Sequence, residues 1–154
     1  MELAELLKPG AIRVCSNMKS KKRLFHDLAE LAAASYGIAE APAIDALQER
    51  ESLGPTGVGH GVALPHARVD GISRVHGVFM RLDRPLDYGS VDRAPVDLIF
   101  ALFAPRDAGV EHLKALALVS RTLRDPGVCA KLRANDDPDK LYAILTTHPD
   151  SKAA

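Results

Sequence analysis

One stretch of the chain, Val96 to Phe103, constrains the fold more than any other. After Asp97 it is apolar at almost every position. An apolar run of this length is typical of a central strand that is covered on both sides. We therefore expect an α/β domain, with a central mixed parallel and antiparallel sheet and helices on both faces.

Two helices are predicted early in the chain. Between Ser20 and Tyr36, apolar residues recur at spacings of three and four and form one stripe, and Gly37 is a natural stop. The second helix has Pro42 in its first turn and leads to Arg50 at its far end.

Further elements follow from local patterns, and the chain shows no domain boundary. We predict a single domain over residues 1–154, with a core at about 5–148 and a frayed tail at 149–154. The predicted elements are a short helix near Leu3–Lys8, a strand around Ile12–Cys15, a strand over Gly77–Leu82 with one wetter face that ends by Pro85, a helix over Val110–Leu123, and two helices capped by Asp125 and Asp137.

The segment from Arg50 to Ala67 contains the residues with the clearest potential for catalysis or ligand binding. Four glycines precede a short apolar strand at 62–64, which Pro65 is expected to stop, so that His66 lies where a strand ends and a loop begins. Arg50 supplies a planar cation of the kind that binds phosphate or carboxylate oxygens. A nucleophilic imidazole beside an anion-binding group indicates phosphoryl chemistry.

Composition excludes several other functions. Twenty basic and twenty acidic residues leave no net charge, so neither nucleic acid nor an anionic membrane is expected as a partner. The longest apolar stretch, 98–105, is too short to span a bilayer, and the two cysteines have no metal-site spacing. The glycine-rich loop lacks the lysine and hydroxyl of a nucleotide-binding loop. We expect a cytoplasmic protein with no metal, cofactor or membrane insertion.

The same segment resembles a known signature. Glu51, Val58-Gly59 and the run from Val62 to Ala67 are similar to the active-site pattern of the fructose/mannitol-type enzyme IIA of the bacterial phosphotransferase system. The likeness continues through 95–98 and 111–117. It is greatest to the nitrogen-regulatory branch of this family, on three stretches: Leu6-Leu7-Lys8-Pro9, Gly54-Pro55-Thr56-Gly57 and Ser120-Arg121-Thr122-Leu123-Arg124-Asp125.

The resemblance implies roles for individual residues. His66 would accept a phosphoryl group from the phosphohistidine of a small HPr- or NPr-like carrier protein. His112 and Arg50 match the two supporting positions, His112 as a hydrogen-bond donor and Arg50 as a cation that contacts the phosphate or braces the loop. Further candidates for phosphate contact are Thr56, Gly57 and Gly59.

Other interpretations of these residues stay open. His112 alone is also explained as a helix cap or a surface residue, and Arg50 as one member of a solvated ion pair with Glu49 or Glu51. Three histidines, His60, His66 and His112, are conceivable metal ligands, although no carboxylate spacing supports such a site.

The main functional prediction is a regulatory phosphocarrier of the nitrogen-related phosphotransferase system. Its phosphorylation state would control partners such as sensor kinases or potassium-transport proteins, and the chain would be a monomer or weak homodimer. One alternative is a metabolic IIA component that passes phosphate to a IIB subunit for fructose or mannitol uptake. The other is a binding module without phosphotransfer.

Overall fold

The computed structural model describes residues 1–147, so the predicted frayed tail at 149–154 lies outside the described residues. Six helices and six strands occupy this part of the chain. The helices are α1 (Leu3–Leu6), α2 (Lys21–Tyr36), α3 (Glu40–Ser52), α4 (Val110–Leu123), α5 (Pro126–Arg133) and α6 (Pro138–Thr147). The strands are β1 (Leu7–Cys15), β2 (Gly57–Gly59), β3 (Val62–Ala63), β4 (His66–Val69), β5 (His76–Leu86) and β6 (Val96–Pro105).

Strand β6 lies at the centre of a mixed sheet, as its sequence predicts. The strand order is β1-β5-β6-β3-β2, and β4 also pairs with β6. The β5 to β6 pair is antiparallel, whereas β1 pairs with β5, and β3 and β4 pair with β6, in parallel. Residues 98–105 of β6 are all buried. Because successive side chains of a strand point to opposite faces, both faces of the sheet are covered.

Two groups of helices provide this cover. Helix α2 packs on α3 and on strands β1 and β5, while α3 packs on β4. The other four helices contact one another, with α4 packed on β6 and α6 on β1. This arrangement confirms the predicted α/β fold. No helix of residues 1–147 combines the length and apolar character needed to cross a bilayer; the cytoplasmic location and the oligomeric state stay predictions.

The predicted helix ends are confirmed where local chemistry sets them. Ser20 caps α2 by accepting a hydrogen bond from the Arg23 amide, and Gly37 ends the helix with a φ of 71°. Asp125 and Asp137 accept amide hydrogen bonds at the starts of α5 and α6. Helix α1 is shorter than predicted, because β1 already begins at Leu7.

One of the two proline-based strand ends is wrong. β5 continues through Pro85 to Leu86, which pairs with Val96; the register of the pair shifts between Arg81 and Leu86, so the proline falls in an irregular part of the ladder. The predicted wetter face of β5 is also wrong, since Gly77 and Phe79 are buried.

Strand β3 ends before Pro65, as predicted, but β4 follows directly after the proline and continues the same line of pairing. Val62 and Ala63 pair with Leu98 and Ile99, and after the interruption His66 pairs with Leu102 in the same register. The carbonyl of Pro65 accepts a hydrogen bond from the Leu102 amide at 3.0 Å, a contact that needs no N–H on the proline. His66 therefore opens strand β4, and the expected strand-to-loop boundary at this residue is corrected.

Candidate active site

Strand β4 presents His66 to a cavity of about 610 Å³. We call it the histidine cavity. Residues from α3, β4, α4 and the loop before α4 line it: Pro42, Asp45, Ala46, Glu49, Arg50, Leu53, His66, Ala67, Arg68, Arg106, His112, Leu113 and Leu116. The cavity thus brings together the three residues that the sequence analysis placed in the site, His66, His112 and Arg50.

The hydrogen bonds of the His66 ring define its protonation. Its Nδ1 lies 3.0 Å from the Leu64 carbonyl oxygen, which only accepts, so Nδ1 carries the ring proton in the neutral form. Its Nε2 accepts a hydrogen bond from Arg50 Nε at 3.2 Å. Burial lowers the pKa of His66; the Leu64 contact opposes this effect and the charge of Arg50 adds to it. Near pH 7 the ring is therefore neutral, with its lone pair on Nε2.

His112 lies in the first turn of α4 and faces the ring of His66. The ring centroids are 5.4 Å apart at an angle of 75°, an edge-to-face arrangement. Only 5% of His112 is exposed. Burial, followed by the charges of His66 and Arg68, lowers its pKa to about 4. Since the residue is buried, the surface interpretation of His112 is wrong.

The Nε2 atom of His112 is buried and has no hydrogen-bond partner within residues 1–147. Leaving a buried polar atom unpaired costs on the order of 1–3 kcal/mol, so such atoms call for an explanation. A ligand oxygen in the histidine cavity would remove this cost. The atom thus marks a position where the cavity can hold a polar ligand.

Arg50, near the end of α3, contacts both the ring and the loop that follows. Besides His66, it binds the Gly54 carbonyl oxygen through Nη1 at 3.0 Å. Among the described residues no carboxylate forms an ion pair with Arg50, which disfavours the ion-pair interpretation. The loop-bracing contact is present, and contact with a phosphate stays a prediction.

The other candidates for phosphate contact have different surroundings. Thr56 is buried, and its hydroxyl contacts the Glu51 carboxylate and lies 2.7 Å from the Tyr88 hydroxyl. Gly57 is buried against Ser90, where a Cβ would lie 2.1 Å from the serine oxygen. These two and Gly59 do not line the histidine cavity. The geometry favours a supporting role for this loop over direct phosphate contact.

Two arginines of the cavity were missed by sequence reasoning. Arg68 lies two positions after His66, and Arg106 begins the loop that follows β6. Arg68 donates to the carbonyl oxygens of Ala108 and, at 3.1 Å, of Arg106, while Arg106 pairs with Asp70 at 2.7 Å. The period-2 spacing from His66 to Arg68 was a usable signal, since it places both residues on one face of a strand. No sequence signal pointed to Arg106.

A second cavity, of about 540 Å³, lies beside the β2–β3 hairpin. We call it the hairpin cavity. Its lining residues come from the hairpin, α4 and α5: Val58, Gly59, His60, Val62, Leu64, Ser120, Leu123, Arg124, Pro126, Cys129, Ala130 and Arg133. His60 lies here, apart from His66 and His112. Within residues 1–147 no group of His, Cys, Asp or Glu side chains has the arrangement of a metal site.

Comparison with known proteins gives a family match over almost the whole chain. The profile of the family described as phosphoenolpyruvate-dependent sugar phosphotransferase system, EIIA 2, matches residues 5–148. The nitrogen regulatory protein of Bradyrhizobium diazoefficiens is 43% identical over 153 residues, which cover 99% of this chain and 100% of that protein.

Solved structures share the fold. The nitrogen regulatory protein IIA-Ntr of Neisseria meningitidis has a TM-score of 0.87 and 33% identity, covering 94% of this chain and 99% of that one. The mannitol IIA of Escherichia coli, solved in complex with phosphorylated mannitol IIB, has a TM-score of 0.78 and 20% identity over 93% of this chain and 100% of that one. At this lower identity the match concerns the fold alone.

Proposed function

Because the chain belongs to the EIIA 2 family of the phosphoenolpyruvate-dependent sugar phosphotransferase system, we propose that it is a regulatory phosphocarrier of the nitrogen-related branch. It accepts a phosphoryl group on His66 from an HPr- or NPr-like carrier protein. The similarity to nitrogen regulatory proteins over nearly the full chain supports the regulatory branch. The observation that carries the proposal is the neutral His66 ring, with its lone pair on Nε2, beside the unpartnered Nε2 of His112.

In the proposed reaction, Nε2 of His66 attacks the phosphorus atom of the donor phosphohistidine. The bond from phosphorus to the donor nitrogen breaks, and its electron pair returns to the donor ring. A new bond joins phosphorus to Nε2, while the other ring proton stays on Nδ1, which continues to donate a hydrogen bond to the Leu64 carbonyl oxygen. Phosphoryl transfer of this kind depends mostly on alignment and on stabilisation of charge on the phosphoryl oxygens.

Arg50 and His112 provide that stabilisation. Phosphorylation uses the lone pair that now accepts the hydrogen bond of Arg50 Nε, so this N–H needs a new acceptor, and the phosphoryl oxygens are next to it. His112 donates its Nε2 proton to another of these oxygens. Donors that the fold holds in place stabilise such charge without having to reorganise during the reaction.

The charge of the phosphoryl group also supports a regulatory output. Close to two negative charges would be added at a surface that now carries Arg50, Arg68 and Arg106. Leu53 and Leu113, at the rim of the cavity, are 80% and 67% exposed, which suits a protein partner with an apolar contact surface. A target that binds this surface would therefore distinguish the two forms by charge. Sensor kinases and potassium-transport proteins stay the predicted classes of target.

A second candidate function is phosphate transfer to a IIB subunit. The similarity in fold to a mannitol IIA that was solved with phosphorylated IIB favours it. The two candidates differ in the fate of the phosphoryl group. Rapid loss of phosphate to a fructose- or mannitol-type IIB would support uptake, and state-dependent binding of a regulatory target without such loss would support regulation.

The experiment that tests phosphoryl acceptance is intact-mass analysis at neutral or basic pH. The purified chain is incubated with phosphoenolpyruvate, a general enzyme I and its small carrier, beside His66→Ala and His60→Ala. We expect one acid-labile phosphoryl group in the wild type and in His60→Ala, and none in His66→Ala. Failure of the folded wild type with several cognate donor pairs would overturn the proposal and favour a binding module.

A further inference from the structure

Glu51 lies outside the histidine cavity and holds a dense set of polar contacts. Its side chain is 7% exposed and pairs with Lys21 Nζ at 2.7 Å. It accepts hydrogen bonds from the Thr56 amide at 3.1 Å, from the Thr56 hydroxyl, and from the Tyr88 hydroxyl at 3.1 Å. Burial works against ionisation, but the contacts with Lys21 and Thr56 outweigh it and lower the pKa of Glu51. The carboxylate is therefore ionised near pH 7.

A chain of hydrogen bonds leads from this carboxylate to the imidazole of His66. The Thr56 amide donates to Glu51, the Thr56 carbonyl accepts from the Leu64 amide at 2.9 Å, and the Leu64 carbonyl accepts the Nδ1 proton of His66 at 3.0 Å. The Leu64 carbonyl accepts the hydrogen bond of the ring proton, and its position depends on the contact between Glu51 and Thr56.

Phosphoryl transfer places two requirements on His66, where this series of hydrogen bonds ends. The proton must stay on Nδ1, because the other tautomer has no lone pair at Nε2. The phosphorylated ring then carries positive charge while Nδ1 keeps its proton. A carboxylate fixed nearby lowers the energy of that charge, and its effect in the free protein is to raise the pKa of His66 against the larger effect of burial.

We propose that Glu51 is a positioning residue for phosphoryl transfer, acting through Thr56 and Leu64 to hold His66 in the reactive tautomer and to stabilise the phosphorylated ring. Lys21 and Tyr88 hold the carboxylate in place. The role resembles that of the carboxylates that orient histidines in other sites, but here two backbone carbonyls lie between the groups. This inference rests on the proposed function of His66.

The test uses Glu51→Gln and the double variant Lys21→Met/Glu51→Gln. Ring nitrogens of His66 are observed by ¹⁵N NMR through a pH titration of the unphosphorylated protein. In both variants we expect a lower pKa of His66 and a detectable population with the proton on Nε2. The kcat/KM for phosphoryl acceptance should fall about tenfold, the lower end of losses on removing a partner that orients a metal-ligating histidine.

The double variant separates positioning from stability. Glu51→Gln leaves the ammonium of Lys21 without its partner, which destabilises the fold. Lys21→Met removes that charge, so the double variant should recover much of the melting temperature and still show the altered His66. Asp97→Asn is a matched control, because it weakens another partly buried ion pair, with Arg133 at 2.9 Å, and should leave the His66 ring unchanged.

The outcomes distinguish the two proposals. Folded Glu51 variants with an unchanged pKa and tautomer of His66 would overturn the positioning role, whatever their melting temperature. A wild type that accepts no phosphoryl group would overturn the proposed function, while the NMR titration would still decide whether Glu51 orients the ring.

Discussion

The histidine cavity and the hairpin cavity are similar in volume, about 610 and 540 Å³, but differ in the state of their polar groups. In the hairpin cavity, Arg133 binds both carboxylate oxygens of Asp97 and the His60 carbonyl, and the Cys129 thiol donates to the Leu123 carbonyl. In the histidine cavity, His112 Nε2 is buried and has no partner among residues 1–147, and the lone pair of His66 accepts a hydrogen bond from Arg50.

This difference separates structural polar groups from reactive ones. A polar group whose hydrogen bonds are all made within the fold stabilises the fold and has no free hydrogen-bonding capacity for a ligand. A buried polar group without a hydrogen-bond partner lowers the stability of the fold, and a bound ligand that supplies the partner removes this cost. Of the buried side-chain nitrogens and oxygens within residues 1–147, those without partners belong to His112 and Ser90, and neither lines the hairpin cavity. Cavity size alone would not have identified the candidate site.

The largest expected effect follows from removing His112, whose unpartnered Nε2 is the proposed donor to the phosphoryl group. In His112→Ala, the rate of His66 phosphorylation should fall about 10²–10³-fold, the range seen when one fixed donor to a developing charge is lost. His60→Ala, in the hairpin cavity, should stay within about twofold of the wild type. Initial rates by intact mass measure both, and equal rates for the two variants would contradict the distinction between the cavities.

Stability against pH tests the burial of the same histidine. The pKa of His112 is about 4 in the folded chain and 6.5 in its ordinary state. The unfolded chain therefore takes up the proton first, and stability is lost as the pH falls from about 6.5 to about 4. At about 1.36 kcal/mol per pH unit, the loss from this residue is at most about 3 kcal/mol.

Urea unfolding of the wild type and His112→Gln between pH 7.5 and 4 measures this loss. Glutamine does not titrate, so the variant should have a flatter profile over that range. Parallel profiles for the two proteins would show that His112 is not buried in its neutral form.

The geometry of Arg50 predicts a smaller effect. Lysine keeps the charge but cannot contact both His66 and the Gly54 carbonyl with a planar group. Arg50→Lys should therefore lower kcat/KM for phosphoryl acceptance about tenfold, since loss of one charge-assisted hydrogen bond costs about 1.5 kcal/mol. Arg50→Gln, which also removes the charge, should lower kcat/KM further. Steady-state kinetics that give both variants the same kcat/KM as the wild type would refute a role of Arg50 in transfer.

The smallest effect on transfer is expected from the hairpin cavity. Arg133→Gln removes the paired contact with Asp97, a partly exposed ion pair, and should cost about 1 kcal/mol of unfolding free energy. The rate of His66 phosphorylation should be unchanged within about twofold. A large loss of rate with a small loss of stability would show that the two cavities are coupled.

Prediction from sequence succeeded where a few neighbouring residues decide the structure. The stop of α2 at Gly37 and the caps at Asp125 and Asp137 depend on side chains and backbone within one helical turn. The central position of β6 followed from its own apolar run. The predictions that a loop follows Pro65 and that β5 ends at Pro85 were wrong, because whether a ladder resumes after a missing N–H depends on the register of the partner strand.

The sequence by itself determined the six helices, the central strand β6 and its neighbours β1 and β5, the order in which they occur along the chain, and which histidine lies in the signature. These depend on periodicity and on residue types that are close along the chain. Only the tertiary structure decided that His112 and Arg50 meet His66 in one cavity, that Thr56 contacts a carboxylate, and that His60 lies elsewhere. The tertiary structure also decided the protonation states of His66 and His112, because the burial of a ring and its distance from other charges are set only when remote segments pack together.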